Sequence, residues 1–201
     1  MGLREVHIEE RLSGTLLAEA SVHGRFQVLH NDHLEYILAA KKRCRYLWIG
    51  ITKYDSDHLN PLGRHRERPE ANPLTYFERI QMITEALVDE GIHLAEFSFV
   101  PFPIENPALL SRFLPNSIPC FTTICEDWNR EKIQLLKDYG YTVLVLWERI
   151  PKKISGSRIR EDIALNGKVW RNLVPAATVR SIEKLALAER LKKLLDKSEK
   201  R

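Results

Sequence analysis

The stretch YLWIGIT, residues 46–52, decides the fold class of this chain. It is a continuous apolar run of residues that favour β-structure, which is typical of a strand buried on both faces of a parallel sheet. Parallel strands need helices to connect them and to cover both faces, so the neighbouring segments should alternate between strand and helix. We therefore expect residues 46–52 to lie at the centre of a parallel sheet.

The segments on both sides of this run continue the alternation. Strands are predicted at residues 21–26, 46–52, 93–102, 118–124 and 141–147, and helices at residues 34–43, 73–90, 108–113 and 129–140. Strands separated by helices imply right-handed crossovers and an α/β fold, a single-domain doubly wound parallel sheet. Ligands of such folds bind at the carboxyl ends of the strands, near the point where the strand order reverses.

The domain layout follows from where the alternation begins and ends. We assign residues 21–182 to the α/β domain and residues 183–201 to a C-terminal helical extension. Residues 1–20 do not fit the alternation, and two interpretations stay open for them: an added β-hairpin, or a contact between copies in a homo-oligomer. Residues 53–72 lack periodicity, which predicts a long loop with a functional role.

Composition excludes several functional classes. The chain has 201 residues, of which 44% are hydrophobic and 29% charged, as expected for a globular protein. Its apolar runs fall far short of the roughly 20 residues that span a bilayer. The charged N-terminus does not resemble an export signal, so we expect a cytoplasmic protein with no membrane partner. The net charge of +4 comes largely from the mixed-sign C-terminal segment, and nucleic-acid binding does not follow from it.

The cysteines do not indicate a metal or redox site. Cys44, Cys120 and Cys125 are odd in number and form no C-x-x-C pair. We expect them to be reduced thiols that serve in packing.

The segment HGRFQVLHNDH, residues 23–33, follows the first strand and opens the first helix. A helix N-terminus in this position attracts anions. His30 and His33 are three residues apart, so both rings can face one side of the first turn and donate to the same phosphate. Alone, the pair is equally typical of a helix cap and a surface residue, and no third ligand nearby supports a metal site. Asn31 or Asp32 is expected to cap the helix.

A second polar segment, ISGSRIR at residues 154–160, follows the fifth strand and opens another helix. Ser155 and Ser157 offer hydroxyl groups, and Gly156 allows close backbone approach. Arg160 carries a planar guanidinium that matches phosphate oxygens. Lys152 and Lys153 add positive charge upstream. Each of these features is also found at ordinary capped helices.

Together and in this order, the two segments resemble the H-x-G-H and I-S-S/T-x-x-I-R motifs of the nucleotidyltransferase superfamily. The resemblance extends to nicotinamide mononucleotide adenylyltransferases of the archaeal type, and it runs from about residue 21 to residue 182. It rests on GRFQ at residues 24–27 with the histidine pair, NPLTYFER at 72–79, ISGSRIR at 154–160 and WRNLVP at 170–175. It implies a Rossmann-like nucleotidyltransferase fold and a transferase of the EC 2.7.7 type.

The resemblance also implies a reaction and roles for individual residues. A phosphate oxygen of a small acceptor attacks the α-phosphorus of a nucleoside triphosphate, and pyrophosphate leaves. The implied catalytic residues are His30, His33 and Arg160. The implied nucleotide-binding residues are Gly24, Arg25, Phe26, Gln27, Asp32, Ser155, Gly156, Ser157 and Arg160. A magnesium ion is expected with the triphosphate, held by substrate and water rather than by a protein site.

Three departures from the family pattern bear on substrate choice. Asp32 stands where the family has a glycine between the histidines. Ala71 stands where the archaeal-type enzymes have an arginine, a role that Arg64, Arg66 or Arg68 of the preceding loop would have to take over. Leu110 stands where an aromatic residue stacks on the nicotinamide ring. We therefore assign acceptor binding to Asn106, Leu110 and Trp128, although Trp128 is equally typical of a packing residue. Trp170 is assigned to the core.

The leading functional hypothesis is transfer of AMP from ATP to nicotinamide or nicotinate mononucleotide, which is a step of NAD biosynthesis. The alternative is adenylyl or cytidylyl transfer to another small phosphorylated or phosphonylated acceptor. From a different class, a nucleotide-binding sensor without catalysis is disfavoured because both histidines and Arg160 are present.

Overall fold

The fold is known from a computed structural model that describes residues 16–55, 68–126, 128–150 and 153–199. Its five parallel strands are β1 (Leu17–Gly24), β2 (Cys44–Ile51), β3 (Phe97–Pro101), β4 (Cys120–Ile124) and β5 (Val143–Glu148). The helices are α1 (Asn31–Lys41), α2 (Tyr76–Asp89), α3 (Leu110–Phe113), α4 (Trp128–Asp138), α5 (Gly156–Ala164), α6 (Ala176–Lys184) and α7 (Leu187–Glu199). Four short 3-10 helices lie at Pro69–Ala71, Leu94–Glu96, Pro107–Leu109 and Val169–Asn172.

The strands form one sheet in the order β3-β2-β1-β4-β5. The predicted doubly wound α/β fold with helices at its C-terminus is therefore confirmed. The predicted centre is wrong, because β1 lies in the middle and β2 lies one position outward. A short run of small and branched residues in β1, Ala20 to Val22, is as fully buried as the longer apolar run of β2. The strand order reverses at β1, so the switch point lies between β1 and β4.

The boundaries of β1 differ from the prediction. The strand begins at Leu17, four residues earlier than expected, so the end of the predicted extension belongs to the sheet. Residues 1–15, where a hairpin or an oligomer contact was expected, lie outside the described residues.

Helix α2 is fixed by its two ends. At its start, Thr75 and Glu78 form a reciprocal capping box, and past its end Gly91 adopts a φ of 80°, where glycine is favoured. Phe77 is 64% exposed, so it lies outside the buried face of this helix although it is apolar. The buried face instead starts at Arg79 and continues through Met82 and Ile83.

The chain divides into two compact units. The described residues of the first come from Met1–Gly24, Glu35–Thr52 and His93–Lys153, and they contain the sheet. Its core includes a cluster made of Phe102, Leu110, Leu114, Cys120, Leu136 and Tyr141. The second unit comprises Arg25–Leu34, Lys53–Ile92 and Ile154–Arg201, and it carries the histidine pair and the other three motifs.

The cysteines are free, as predicted. Burial raises the pKa of both Cys44 and Cys120 to about 11, which keeps these thiols protonated at neutral pH. Among the helices that the structure describes, none has the length and apolar character needed to cross a membrane.

Candidate active site

The histidine pair opens helix α1. The rings of His30 and His33 stack with centroids 3.6 Å apart and planes 18° from parallel, and the rings of His33 and Phe26 meet edge-to-face with centroids 5.1 Å apart. His30 is almost fully buried, whereas His33 is half-buried. The spacing in the sequence therefore predicted correctly that both rings share one side of the first turn.

The cap of α1 differs from the prediction. Nδ1 of His30 lies 3.4 Å from the backbone nitrogen of His33, so His30 itself caps the helix. Asn31, one of the two predicted caps, instead donates from its side chain to the carbonyl of Asn172 at 3.2 Å. Because Nδ1 of His30 faces an N–H group, it acts as an acceptor, and the ring carries its proton on Nε2.

Asp32, the other predicted cap, joins two motifs. Its carboxylate accepts a hydrogen bond of 3.1 Å from the backbone N–H of Ile154, the first residue of ISGSRIR. The acidic residue in place of the family's glycine therefore holds the segment that leads into α5. The negative charge of Asp32 is therefore partly compensated by the backbone N–H of Ile154.

Arg160 is buried and ties ISGSRIR to GRFQ. Its Nη1 donates to the carbonyl of Gln27, and its Nη2 donates to the Ser157 hydroxyl at 3.3 Å. Burial lowers the pKa of Arg160 to about 10, while nearby carboxylates act in the opposite direction. The guanidinium therefore stays charged at neutral pH, and a guanidinium has five N–H donors in all. Its phosphate contacts remain a prediction.

The residues beside Arg160 shape the start of α5. Ser155 occupies the N-cap position of α5 without a capping bond from its side chain. A Cβ on Gly156 would lie 3.4 Å from both Nη1 of Arg160 and the carbonyl oxygen of Gln27, and the close approach of a ligand to this glycine stays a prediction.

Gln27 links GRFQ to NPLTYFER. Its side-chain amide donates to the carbonyl of Leu74 at 2.8 Å and accepts from the N–H of the same residue at 2.9 Å. This reciprocal pair fixes the backbone beside the histidine motif. The role of Gln27 in this structure is thus to position the segment that leads into the histidine pair.

Arg79, for which the sequence predicted no separate role, is a buried clamp in the structure. Its guanidinium donates to three backbone carbonyls, those of Arg25 at 2.9 Å, Lys53 at 2.7 Å and Thr75 at 3.2 Å. Burial lowers the pKa of Arg79 to about 10. A signal was present, because Arg79 lies three and four positions before the buried residues Met82 and Ile83 and so shares their face of α2.

Glu78 anchors the same motif to the C-terminal helix. Its carboxylate forms a two-pronged ion pair with Arg190 of α7, at 2.7 and 2.8 Å. Burial raises the pKa of Glu78, but the hydrogen bonds from Arg190 and Thr75 outweigh this and hold the pKa below its ordinary value.

A cavity of about 300 Å³ opens beside NPLTYFER. Its lining includes Gln27, Lys53, Asp55, Tyr76 and Arg79. Lys53 and Asp55 follow β2 in the predicted loop and were not singled out from the sequence, because the loop shows no periodicity. The cavity combines the opposite charges of Lys53 and Asp55 with the aromatic rings of Tyr54, Tyr76 and Phe77.

Position 71, where the archaeal-type enzymes have an arginine, holds an alanine in this chain. Ala71 is buried in the Pro69–Ala71 turn, and the carbonyl of Arg68 accepts hydrogen bonds that close this turn. Arg64 and Arg66, the other candidates for the missing cation, lie outside the described residues, as does Lys152. A cation at position 71 itself would have to be accommodated in the core.

The three predicted acceptor residues lie in the first unit. Asn106 precedes the Pro107–Leu109 turn, and Trp128 begins α4 with its ring 40% exposed. Leu110 is 1% exposed and packs in the core cluster of that unit. Leu110 therefore has a packing role, and its contact with an acceptor stays a prediction. Trp170 lies in the core, as expected.

Within residues 16–55, 68–126, 128–150 and 153–199 no group of three or more His, Cys, Asp or Glu side chains is arranged to hold a metal ion.

The sequence of this chain matches a known protein family. The sequence model of the cytidylyltransferase-like family matches residues 22–162. Phosphonoformate cytidylyltransferase of Streptomyces viridochromogenes is 37% identical over 185 residues, which cover 91% of this chain and 98% of that protein. Nicotinamide-nucleotide adenylyltransferase of Thermococcus onnurineus is 28% identical over 181 residues, which cover 88% of this chain and 90% of that protein.

Solved structures share the fold. The bifunctional NMN adenylyltransferase/ADP ribose pyrophosphatase of Francisella tularensis superposes with a TM-score of 0.68 at 16% identity, over 92% of this chain. This chain spans only 54% of that larger protein. The nicotinic acid mononucleotide adenylyltransferase of Plasmodium falciparum, at 12% identity, gives a TM-score of 0.51 over 85% of this chain and 96% of its own length.

Proposed function

The chain belongs to the cytidylyltransferase-like family of nucleotidyltransferases, and we propose that it transfers CMP from CTP to a small phosphonate acceptor with release of pyrophosphate. The observation that carries this proposal is the stacked histidine pair at the start of α1. Asp32, which lies between the two histidines, accepts a hydrogen bond from the backbone of Ile154 and so connects the pair to ISGSRIR. Both segments present donors at helix N-termini, where a triphosphate is attracted.

The chemistry needs positioning and charge neutralisation more than covalent help from the protein. An oxygen of the deprotonated phosphonate forms a bond to the α-phosphorus of CTP. The bond from that phosphorus to the oxygen bridging the β-phosphate breaks, and its electron pair leaves with pyrophosphate. No proton has to be removed from the attacking group.

The histidines act on the α-phosphate in this mechanism. His30 accepts a backbone hydrogen bond at Nδ1, so Nε2–H is oriented as a donor to a phosphate oxygen. His33, held by its stack on His30 and its edge contact with Phe26, donates from the same side. Such donors stabilise the charge that develops in the transition state.

Arg160 and the serines of ISGSRIR hold the leaving group. Ser155 and Ser157 lie at the first turn of α5, where backbone N–H groups and the helix dipole favour the β- and γ-phosphates. The charge of Arg160 lies beside Ser157 and supports pyrophosphate as it departs.

A divalent cation, most suitably Mg²⁺, fits this site as a partner of the triphosphate. The described part of the chain offers no cluster of three metal-binding side chains, so triphosphate oxygens and water would hold the ion. When bound, it supplies neutralisation of charge on the phosphates.

Two observations support a phosphonate as the acceptor. The relative with 37% identity, which matches nearly its whole length, is named for transfer to phosphonoformate. Leu110 is buried in a core cluster, and so offers no exposed face to a large ring. The second candidate, adenylyl transfer to a pyridine mononucleotide, is favoured by several archaeal relatives at about 28% identity, among them that of Thermococcus onnurineus.

A pyrophosphate-release assay separates the candidates. CTP and ATP are each paired with phosphonoformate, nicotinamide mononucleotide and nicotinate mononucleotide in the presence of Mg²⁺. We expect turnover with CTP and phosphonoformate, and its loss in His30→Ala but not in His93→Ala, since His93 is an exposed histidine remote in sequence from the motifs. Turnover only with ATP and a pyridine mononucleotide establishes the second candidate, and no turnover with any pair rejects both.

A further inference from the structure

The WRNLVP segment, residues 170–175, contacts the start of α1 through two consecutive carbonyls. The backbone N–H of Asn31 donates to the carbonyl of Leu173 at 3.0 Å, and its side-chain amide donates to the carbonyl of Asn172 at 3.2 Å. Asn31 is the first residue of α1 and directly follows His30. Both donors of one residue are thus bound to the same segment, which fixes the first turn of the helix that carries the histidine pair.

Asp162 of α5 holds the beginning of WRNLVP. Its carboxylate accepts the backbone N–H of Trp170 at 2.8 Å. Trp170 is buried, and its own carbonyl accepts the N–H of Leu173 at 2.9 Å. A continuous series of hydrogen bonds therefore runs from Asp162 to Asn31, and all of its members belong to the second unit.

Gly167 leaves room for the carboxylate of Asp162. A Cβ at position 167 would lie 1.9 Å from Oδ1 of Asp162 and 2.5 Å from its Cγ, far closer than non-bonded atoms approach each other. The N–H of Gly167 also donates to the carbonyl of Asp162 at 2.8 Å. The carboxylate thus has a defined place beside Gly167, and a methyl group at position 167 would displace it.

The position of Asp162 in its own helix is unfavourable for a carboxylate. Asp162 lies in the last turn of α5, which ends at Ala164. A negative charge near the C-terminus of a helix opposes the helix dipole. The hydrogen bond from the N–H of Trp170 therefore accounts for an acidic residue at this position.

We propose that Asp162 is a positioning residue for nucleotidyl transfer, which acts on the histidine pair through WRNLVP and Asn31. The proposal rests on the proposed function, in which His30 and His33 donate to the α-phosphate in the transition state. The placement of such donors is critical, since a displacement of about 1 Å can lower a rate about 100-fold. Loss of the Asp162 carboxylate releases the segment that it holds, and the start of α1 moves with it.

A comparison of kcat with KM tests this role. Turnover of CTP with phosphonoformate is measured in Asp162→Ala, Asp162→Asn and Gly167→Ala, and urea unfolding establishes that each variant is folded. We expect Asp162→Ala and Gly167→Ala to lower kcat about tenfold or more, with KM for CTP within about threefold of wild type, because the histidines act in the transition state. Asp162→Asn should keep kcat within about threefold of wild type, since its amide oxygen still accepts the N–H of Trp170. Asp196→Ala, at an exposed carboxylate of α7, is the matched control and should keep the wild-type kcat.

The double variant Asp162→Ala/Gly167→Ala gives an independent check. The three atoms nearest to a Cβ at position 167 all belong to the carboxylate of Asp162. Alanine at position 167 should therefore cause no further loss of kcat once this carboxylate is absent, and such non-additivity assigns the loss to the contact between the two residues. Losses that multiply in the double variant overturn the proposal. Gly167→Ala serves as the principal variant if Asp162→Ala does not fold.

A purely structural role predicts a different result. If Asp162 only stabilises the end of α5, the folded Asp162→Ala variant has a lower free energy of unfolding but the wild-type kcat, and the proposal is overturned. A raised KM for CTP with an unchanged kcat also overturns it, because the effect would then pass through ISGSRIR at the start of the same helix.

NMR of protein with labelled histidines separates this proposal from the proposed function, because it requires no turnover. The stacked rings of His30 and His33 place their ring protons close together, so a nuclear Overhauser effect should connect them. We expect this effect to weaken in Asp162→Ala and to persist in Asp162→Asn. If the wild type does not turn over CTP and phosphonoformate, the proposed function fails and the ring contact decides the positioning role. A contact that is weakened in Asp162→Ala then supports this role, and an unchanged contact rejects it.

Discussion

Replacement of Asp32 separates a structural role for this residue from a role in base recognition. In the structure its carboxylate accepts the N–H of Ile154, so it holds the segment before α5 in place. The substitution Asp32→Asn keeps an oxygen that can accept this bond, whereas Asp32→Ala leaves the N–H without its acceptor. We therefore expect the asparagine variant to be nearly silent and the alanine variant to be harmful.

The magnitude follows from the one bond that is lost. A hydrogen bond to a charged group contributes about 1.5–3 kcal/mol, and partial solvent access at Asp32 places this bond at the lower end. Asp32→Ala should thus lower the free energy of unfolding by about 1–2 kcal/mol, and Asp32→Asn by less than about 1 kcal/mol. In Asp32→Ala, KM for the triphosphate should rise, because ISGSRIR loses its anchor.

The assay is kcat/KM for CTP and for ATP in the wild type and both variants, alongside urea unfolding. A structural role leaves the CTP-to-ATP ratio of Asp32→Asn within a few-fold of wild type. A change in this ratio of more than about tenfold, equivalent to about 1.4 kcal/mol, refutes the reasoning, because the carboxylate would then contact the base.

Three further outcomes are expected. His33→Ala should lower kcat by about 100-fold or more with an unchanged circular dichroism spectrum, since a donor to the transition state is removed; a folded, fully active variant contradicts this. Arg79→Lys should destabilise the protein by about 2–4 kcal/mol in urea unfolding, because one ammonium cannot serve three separated carbonyls; a loss below about 1 kcal/mol argues against the clamp. The pKa of Glu78 is lower in the folded protein than in the unfolded chain, where it is about 4.3. The ion pair of Glu78 with Arg190 therefore stabilises the fold fully above the unfolded pKa, and this stabilisation is lost as the pH falls through the folded pKa. The stability difference between wild type and Glu78→Gln should therefore be constant near neutral pH and shrink below about pH 4, and a difference that does not change with pH opposes this account.

The fold and the histidine pair were predictable because their signals are local. The apolar run at residues 46–52 predicted a strand that the structure confirms, and the spacing of His30 and His33 predicted a shared face that the stack confirms. The central position of β1 was not predictable, since strand order depends on contacts far apart in the chain.

The contacts that hold the motifs together escaped prediction for a physical reason. Arg79 and Arg160 donate hydrogen bonds to backbone carbonyls that lie 26 to 133 residues away in the sequence. Every residue has a backbone carbonyl, so the residue types in the sequence do not show which one accepts such a bond. Asn31 or Asp32 was expected to cap α1 because Asn and Asp are the usual caps, but His30, for which a capping role had stayed open, takes that place. The polar identity of His23 gave no sign that its ring is buried.

The central claim, attack of an acceptor oxygen on the α-phosphorus, is tested most directly by isotope labelling. Phosphonoformate with oxygen-18 in its phosphonate group is incubated with CTP, Mg²⁺ and the protein, and the products are followed by phosphorus-31 NMR. We expect a new P–O–P linkage whose bridging oxygen carries the label, with one unlabelled pyrophosphate released for each linkage formed. Formation of CDP with a phosphorylated acceptor, or of free CMP without the labelled linkage, would contradict it.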